Sequence, residues 1–332
     1  MDKVSAQPTT QPSGRIVGSI KGLLRSQEVV IVLAVVLLLV IGGIMNPNFM
    51  TVANQRANFR DIALLAIAAI GVAFPILTAG IDLSVGSMVG VGAIAIAWSV
   101  VNWNWPIWAG ILFAYALALA VGLFNGSFVT RLGMPGFLVT LVTLGAARGL
   151  LLVATNAFPI PGLPPEFNYL GQGYVFNVIP IPVLICAGVA AITYYLLRFS
   201  YIGRQIYAVG GNVEAARFSG INVSRRIMLC YIISASCAVT VGMIQAARMT
   251  QGHPGSGDGY ELQAITACIV GGVSFMGGEG GIPGIIVGAI LMGTLQNAMV
   301  MLNVHPYWHR VVISAVLLLA VSVDYMRRRR PT

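Results

Sequence analysis

The sequence predicts an all-α integral membrane protein of about ten transmembrane helices, and three observations predict it. The 332-residue chain is 57% hydrophobic and only 9% charged, with a mean hydropathy of +0.86. A soluble domain carries about 25% charged residues because its surface faces water; a surface facing lipid has no such need. Long apolar runs recur along the chain, and the 19 basic residues gather mostly at one set of run ends. The net charge of +9 would suggest nucleic acid in a soluble protein. At run ends it sets membrane orientation instead, so lipid is an expected partner and nucleic acid is not.

Residues 1–28 are polar and basic, with Pro8, Pro12 and Ser13, and read as a disordered cytoplasmic tail. Ten apolar runs follow, at 29–45, 61–80, 84–101, 107–128, 135–155, 178–197, 227–247, 262–277, 283–302 and 310–326. Each approaches the roughly 20 residues that a helix needs to cross the hydrocarbon. The first has no small-residue cleavage site and reads as a retained helix. Two joins, around Gly80–Ser84 and Gly278–Ile282, are either loops or breaks within discontinuous helices. Trp98, Trp103, Trp105, Trp108 and Trp308 lie near predicted outer ends, as an interfacial belt does.

With the N-terminus inside, Lys3, Arg15, Lys21, Arg25, Arg131, Arg198, Arg204, Arg217, Arg225, Arg226 and Arg327 to Arg330 are cytoplasmic. Only Arg56, Arg60, Arg248 and Arg310 lie opposite, and Arg148 sits inside a run. That excess places both termini in the cytoplasm and requires an even number of crossings. Residues 29–326 then form one polytopic domain, with 327–332 a basic cytoplasmic tail.

Gly86 and Gly90, Gly284 and Gly288, and Ala118, Gly122 and Gly126 stand four apart, a spacing that lets helix backbones approach in lipid. Gly122-Leu123-Phe124-Asn125-Gly126 echoes Gly293-Thr294-Leu295-Gln296-Asn297-Ala298 in a run of opposite direction. The echo is the pattern of two inverted five-helix halves. Cys186, Cys230, Cys237 and Cys268 lie in apolar runs without a Cys-x-x-Cys, so no metal or redox motif is expected. His305 and His309 have zinc-motif spacing, but Pro306 lies between them and no carboxylate is near in sequence. No cofactor, metal or catalytic constellation is expected.

The longest cytoplasmic loop, 198–226, contains Gly203-Arg204 and then Gly210-Gly211-Asn212-Val213-Glu214-Ala215-Ala216-Arg217-Phe218-Ser219-Gly220. Asn212 suits an N-cap, Glu214 the positive helix start, Ala215 and Ala216 the interior, and Gly220 the C′ position. A short helix is predicted there. Its Val213, Ala216 and Phe218 either seek a partner surface or lie on the bilayer.

Glu214-Ala215-Ala216-x-x-x-Gly220 resembles the start of the EAA loop of ABC-importer permeases, which docks on the ATPase. The later Ile-x-Leu-Pro of that pattern is replaced by Cys230-Tyr231-Ile232-Ile233. The departure fits the ribose-type monosaccharide permeases. The chain resembles that family from about residue 30 onward, through Leu77-Thr78-Ala79-Gly80-Ile81-Asp82-Leu83-Ser84-Val85-Gly86-Ser87, the 203–220 loop, Gly259-Tyr260-Glu261-Leu262-Gln263-Ala264-Ile265, Gly271-Gly272-Val273-Ser274 and Gly277-Gly278. The resemblance implies a permease subunit in a bacterial inner membrane, working with a periplasmic sugar-binding protein, ABC ATPase subunits and a second permease chain. The sequence contains no Gly-x-x-x-x-Gly-Lys-Ser/Thr phosphate-binding loop, so ATP is expected on a separate subunit.

Asp82 either accepts hydrogen bonds from sugar hydroxyls or caps the third helix. Ser84, Asn125, Thr140, Thr143 and Asn297 are expected to join it along an uncharged route. Asp258 and Glu261, among Gly255, Gly257 and Gly259, belong either to a solvated outer loop or to the contact with the binding protein. A secondary transporter needs a relay of buried ionisable groups, and only Asp82, Arg148 and Asp324 offer themselves. The nearer alternative is a related permease for branched-chain amino acids or nucleosides.

Overall fold

A computed structural model describes residues 27–329, with side chains from 31 to 326. The expected tails at 1–28 and 327–332 lie almost wholly outside the described residues. In chain order the helices are α1 (Gln27–Met45), α2 (Val52–Leu77), α3 (Val85–Ala97), α4 (Ile107–Arg131), α5 (Gly136–Thr155), α6 (Pro165–Gln172) and α7 (Ile181–Phe199). They continue with α8 (Tyr201–Gly211), α9 (Val213–Phe218), α10 (Val223–Met249), α11 (Tyr260–Val270), α12 (Ile282–Met301) and α13 (Pro306–Arg329). A π turn at Trp98–Asn102 extends α3.

Eight of these are long and apolar enough to cross a membrane: α2, α3 with its extension, α4, α5, α7, α10, α12 and α13. In α1 the apolar stretch counted is the shorter Ile31–Met45. The run at 262–277 is not one helix, because α11 stops at Val270 after 11 residues. At 1.5 Å per residue it is about 16 Å long, half the hydrocarbon thickness. Beyond it Gly272, Gly277, Gly278 and Gly280 all have positive φ, which an α-helix cannot contain. The join after α2 is likewise non-helical: Thr78 and Gly80 both donate backbone N–H to Pro75 O, and Ala79 turns left-handed at φ 59°.

α2 is the pillar. Every side chain from Ile62 to Leu77 is buried, as expected of a helix that is apolar on all faces. α10 packs on α2, α3 and α4, while α11 and α12 pack on α2 from elsewhere. Small residues set these approaches: a Cβ on Gly122 or Gly126 would lie 2.6 Å from Ile232 Cα or 2.9 Å from Met228 Cα of α10. One on Gly284 or Gly288 would overlap the carbonyl oxygens of Gly271 or Ala267.

The helix ends form two groups. At one end Arg248 pairs with Asp61, Arg310 with Asp258 at 2.7 Å, and Arg60 donates to Gln172 O while lying over Tyr174. Two short antiparallel pairs, Ile160–Pro161 with Gln251–Gly252 and Tyr174–Val175 with Ile179–Pro180, tie the loops there. At the other end lie α8, α9, Leu77, the 271–281 segment and Asp324, which accepts from Phe275 N at 3.2 Å.

Candidate functional site

The break at 78–84 gathers five of the expected route residues. Asp82 Oδ1 accepts from the Ser84 N–H at 2.9 Å and from Ser84 Oγ at 2.5 Å, so it closes a turn just ahead of α3. Asn125 of α4 donates to Ser84 Oγ at 3.2 Å, and Thr143 of α5 donates to Asn125 Oδ1 at 2.6 Å. The chain of donors therefore runs Thr143, Asn125, Ser84 and ends on the Asp82 carboxyl as acceptor, the order in which each bond polarises the next. Thr140, one turn before Thr143, accepts from Leu83 N at 3.0 Å and faces Ile81 O at 3.1 Å, supplying partners that the missing helix does not. All five are buried. Asp82 Oδ2, Tyr231 Oη and Ser234 Oγ are also buried. Tyr231 reaches from α10 into the space over Gly136, where a Cβ would overlap its hydroxyl.

Asn297 lies elsewhere. Its amide pairs reciprocally with that of Asn54 across α2 and α12, both bonds 2.9 Å. Asn125 and Asn297, aligned in the internal echo, thus contact different elements.

Asp258 pairs with Arg310 on the exposed surface. Glu261 sits half-buried in the first turn of α11, near Gly86, with Oε2 lacking a partner. Between them Arg148 reaches from α5 and donates to Pro254 O at 2.5 Å, Ser256 O at 2.8 Å and Gly86 O at 3.0 Å. The guanidinium fork thereby holds the 253–257 loop to α3 and α5. Arg148 stood out in the sequence only as a charge in an apolar run; nothing there indicated its three carbonyl partners.

The predicted helix in the long loop is α9. Asn212 Oδ1 accepts from Ala215 N at 2.9 Å, Gly220 has φ +79°, and Glu214 pairs with Arg217 at 3.2 Å on the surface. Ala216 is buried against Val209 and Val223, whereas Phe218 is 88% exposed. Gly203, Arg204, Gly210 and Gly211 fall on a further helix, α8, that the sequence reading treats as loop. Ser200 caps α8, with Gly203, Ile206 and Val209 on its buried face. The 3-and-3 spacing of those residues is the signal that could have found it.

Comparison with known proteins adds three findings. Residues 57–321 match the family described as branched-chain amino acid transport system / permease component. The chain is 37% identical over 296 residues to the ribose import permease protein RbsC of Haemophilus influenzae, covering 88% of this chain and 91% of that one. It is 31% identical over 346 residues to the xylose transport system permease protein XylH of Escherichia coli (85% and 87% covered), and 32% over 289 residues to that organism's D-allose transport system permease protein AlsC (87% and 88%).

Proposed function

This chain belongs to the branched-chain amino acid transport system / permease component family, and from that premise we propose that it is the membrane permease of an ATP-driven importer for a monosaccharide or related polyol. The observation that carries the reading is α9, a capped helix that keeps Phe218 exposed beyond the bundle. It is the docking element for an ATPase subunit. The opposite end, with Asp258 and Glu261, receives the periplasmic binding protein, and a second permease chain completes the route.

In this reading α1 crosses as well, and α11 with the 271–281 segment makes one discontinuous pass. The total is then ten, in two inverted halves with both termini cytoplasmic. The basic residues support that orientation, since Arg198, Arg204, Arg217, Arg225 and Arg226 gather at the end that carries α8 and α9. The Asp82, Ser84, Asn125, Thr140 and Thr143 network lines the route, where its hydroxyl and amide groups exchange partners with a passing polyol. Names of the relatives favour a sugar over a branched-chain amino acid.

The test is reconstitution with the cognate ATPase and binding protein in proteoliposomes, offering labelled ribose, xylose, allose and leucine. ATP-dependent uptake of a monosaccharide, with leucine excluded, is expected. Leucine uptake, or sugar uptake driven by an ion gradient without ATP, would overturn the proposal.

A further inference from the structure

The C-terminal end of α8 touches both non-helical breaks of the bundle at once. Gly278 N donates to Leu77 O at 3.0 Å, joining the segment after α11 to the end of α2 backbone to backbone. α8 closes on that joint. A Cβ on Gly210 would overlap Leu77 O and stand 2.6 Å from Gly278 N, and one on Gly278 would stand 2.9 Å from Gly211 N. A Cβ on Gly277 would lie 2.7 Å from Ala79 N, so the two breaks also meet beyond the hydrogen bond. One turn earlier, Tyr207 Oη donates to Gly280 O at 2.7 Å. From Gly211 the chain passes through the single residue Asn212 into α9. An open cavity of about 670 Å³, bordered by Arg198, Arg204, Tyr207 and residues 278–283, leaves α8 and the second break room to shift.

We propose that Tyr207 and Gly210 are positioning residues that carry displacement of α9 to both breaks together, and through Leu77 to the Asp82–Ser84 network. The proposal rests on α9 being the ATPase-docking element. Backbones in contact without side chains between them cannot slide independently, so a shift at the end of α8 moves Leu77 and Gly278 in concert. Tyr207 supplies the directional part, since its hydroxyl is bonded to the second break alone. Gly210 supplies the close approach, which any side chain would spread apart.

The test uses the permease–ATPase complex with its binding protein in proteoliposomes, reading sugar uptake and ATP hydrolysis from the same vesicles. Tyr207→Phe removes one hydroxyl, Gly210→Ala adds one methyl to the joint, and Ala208→Ser on the exposed side of α8 is the control. Tyr207→Phe is expected to co-purify with the ATPase at wild-type stoichiometry and melt with the wild type. Its uptake per ATP hydrolysed is expected to fall at least about fivefold, the lower end of measured couplings between distinct sites. Gly210→Ala is expected to fall further; if it fails to fold, Tyr207→Phe decides alone. An unchanged uptake-to-hydrolysis ratio in Tyr207→Phe overturns the proposal. Loss of ATPase binding in that variant overturns it too, because α8 is then part of the docking surface. A wild-type chain that recruits no ATPase brings down the docking reading itself, and co-purification reveals that before any variant is made.

Discussion

Thr140 and Thr143 lie one turn apart on α5 and do different work. Thr140 faces the backbone of the break, accepting from Leu83 N and facing Ile81 O, while Thr143 donates to the side chain of Asn125. Thr143→Val keeps the shape and leaves Asn125 Oδ1 unpaired in a buried site. That costs about 1–3 kcal/mol. A lowered melting temperature in detergent is expected, with Thr143→Ser close to wild type. Arg148→Met removes two bonds to the 253–257 loop and a third to Gly86 O of α3, and amide exchange in the loop is expected to rise while exchange in α2 stays unchanged. These polar residues could be singled out from sequence because a polar group in an apolar run is costly and must have a role. The same rule assigns no partners. The internal echo groups Asn297 with Asn125, yet Asn297 faces Asn54, and the sequence around Arg148 gives no sign that carbonyls rather than carboxylates receive it.

Among the elements, α9 was readable because caps are local chemistry: Asn212, Glu214 and Gly220 act within a few residues of one another. Asn212→Ala is expected to cost about 1 kcal/mol of helix stability and to raise amide exchange at residues 213–216. α8 was not read, because Gly203, Gly210 and Gly211 lower its intrinsic helix preference and its stability comes from packing Ile206 and Val209. α11 was read too long for a related reason. The glycine-rich 271–281 segment contains Val273, Phe275 and Met276 and little charge, and so is nearly as apolar as a helix, while hydropathy does not register positive φ. Close approach was legible in the small-residue spacing. Gly288→Leu forces α12 away from Ala267 of α11, and a loss of about 1–3 kcal/mol, seen in thermal melting, is expected for overpacking of this kind.

For the whole molecule, the membrane class followed from composition alone, since so few charges cannot cover a soluble surface of this size. How the helices meet did not, because pairing across more than a hundred residues leaves no periodic trace. The proposed orientation predicts that Val213→Cys labels from the cytoplasmic side of intact cells and Asn168→Cys, in the short helix α6, from the outside. Labelling of both from one side contradicts the ten-pass arrangement. The most direct measurement of the central claim concerns α9. Glu214→Arg sets a positive charge at a positive helix start, unfavourable by about 0.3–1 kcal/mol. Gly220→Val forces a β-branched residue to φ +79°, a conformation open to glycine and strained for valine. The double variant is co-expressed with its ATPase, and co-purification and substrate-stimulated ATP hydrolysis are measured. The account predicts normal membrane insertion with recruitment and stimulation lost; recruitment and stimulation at the wild-type level would contradict it.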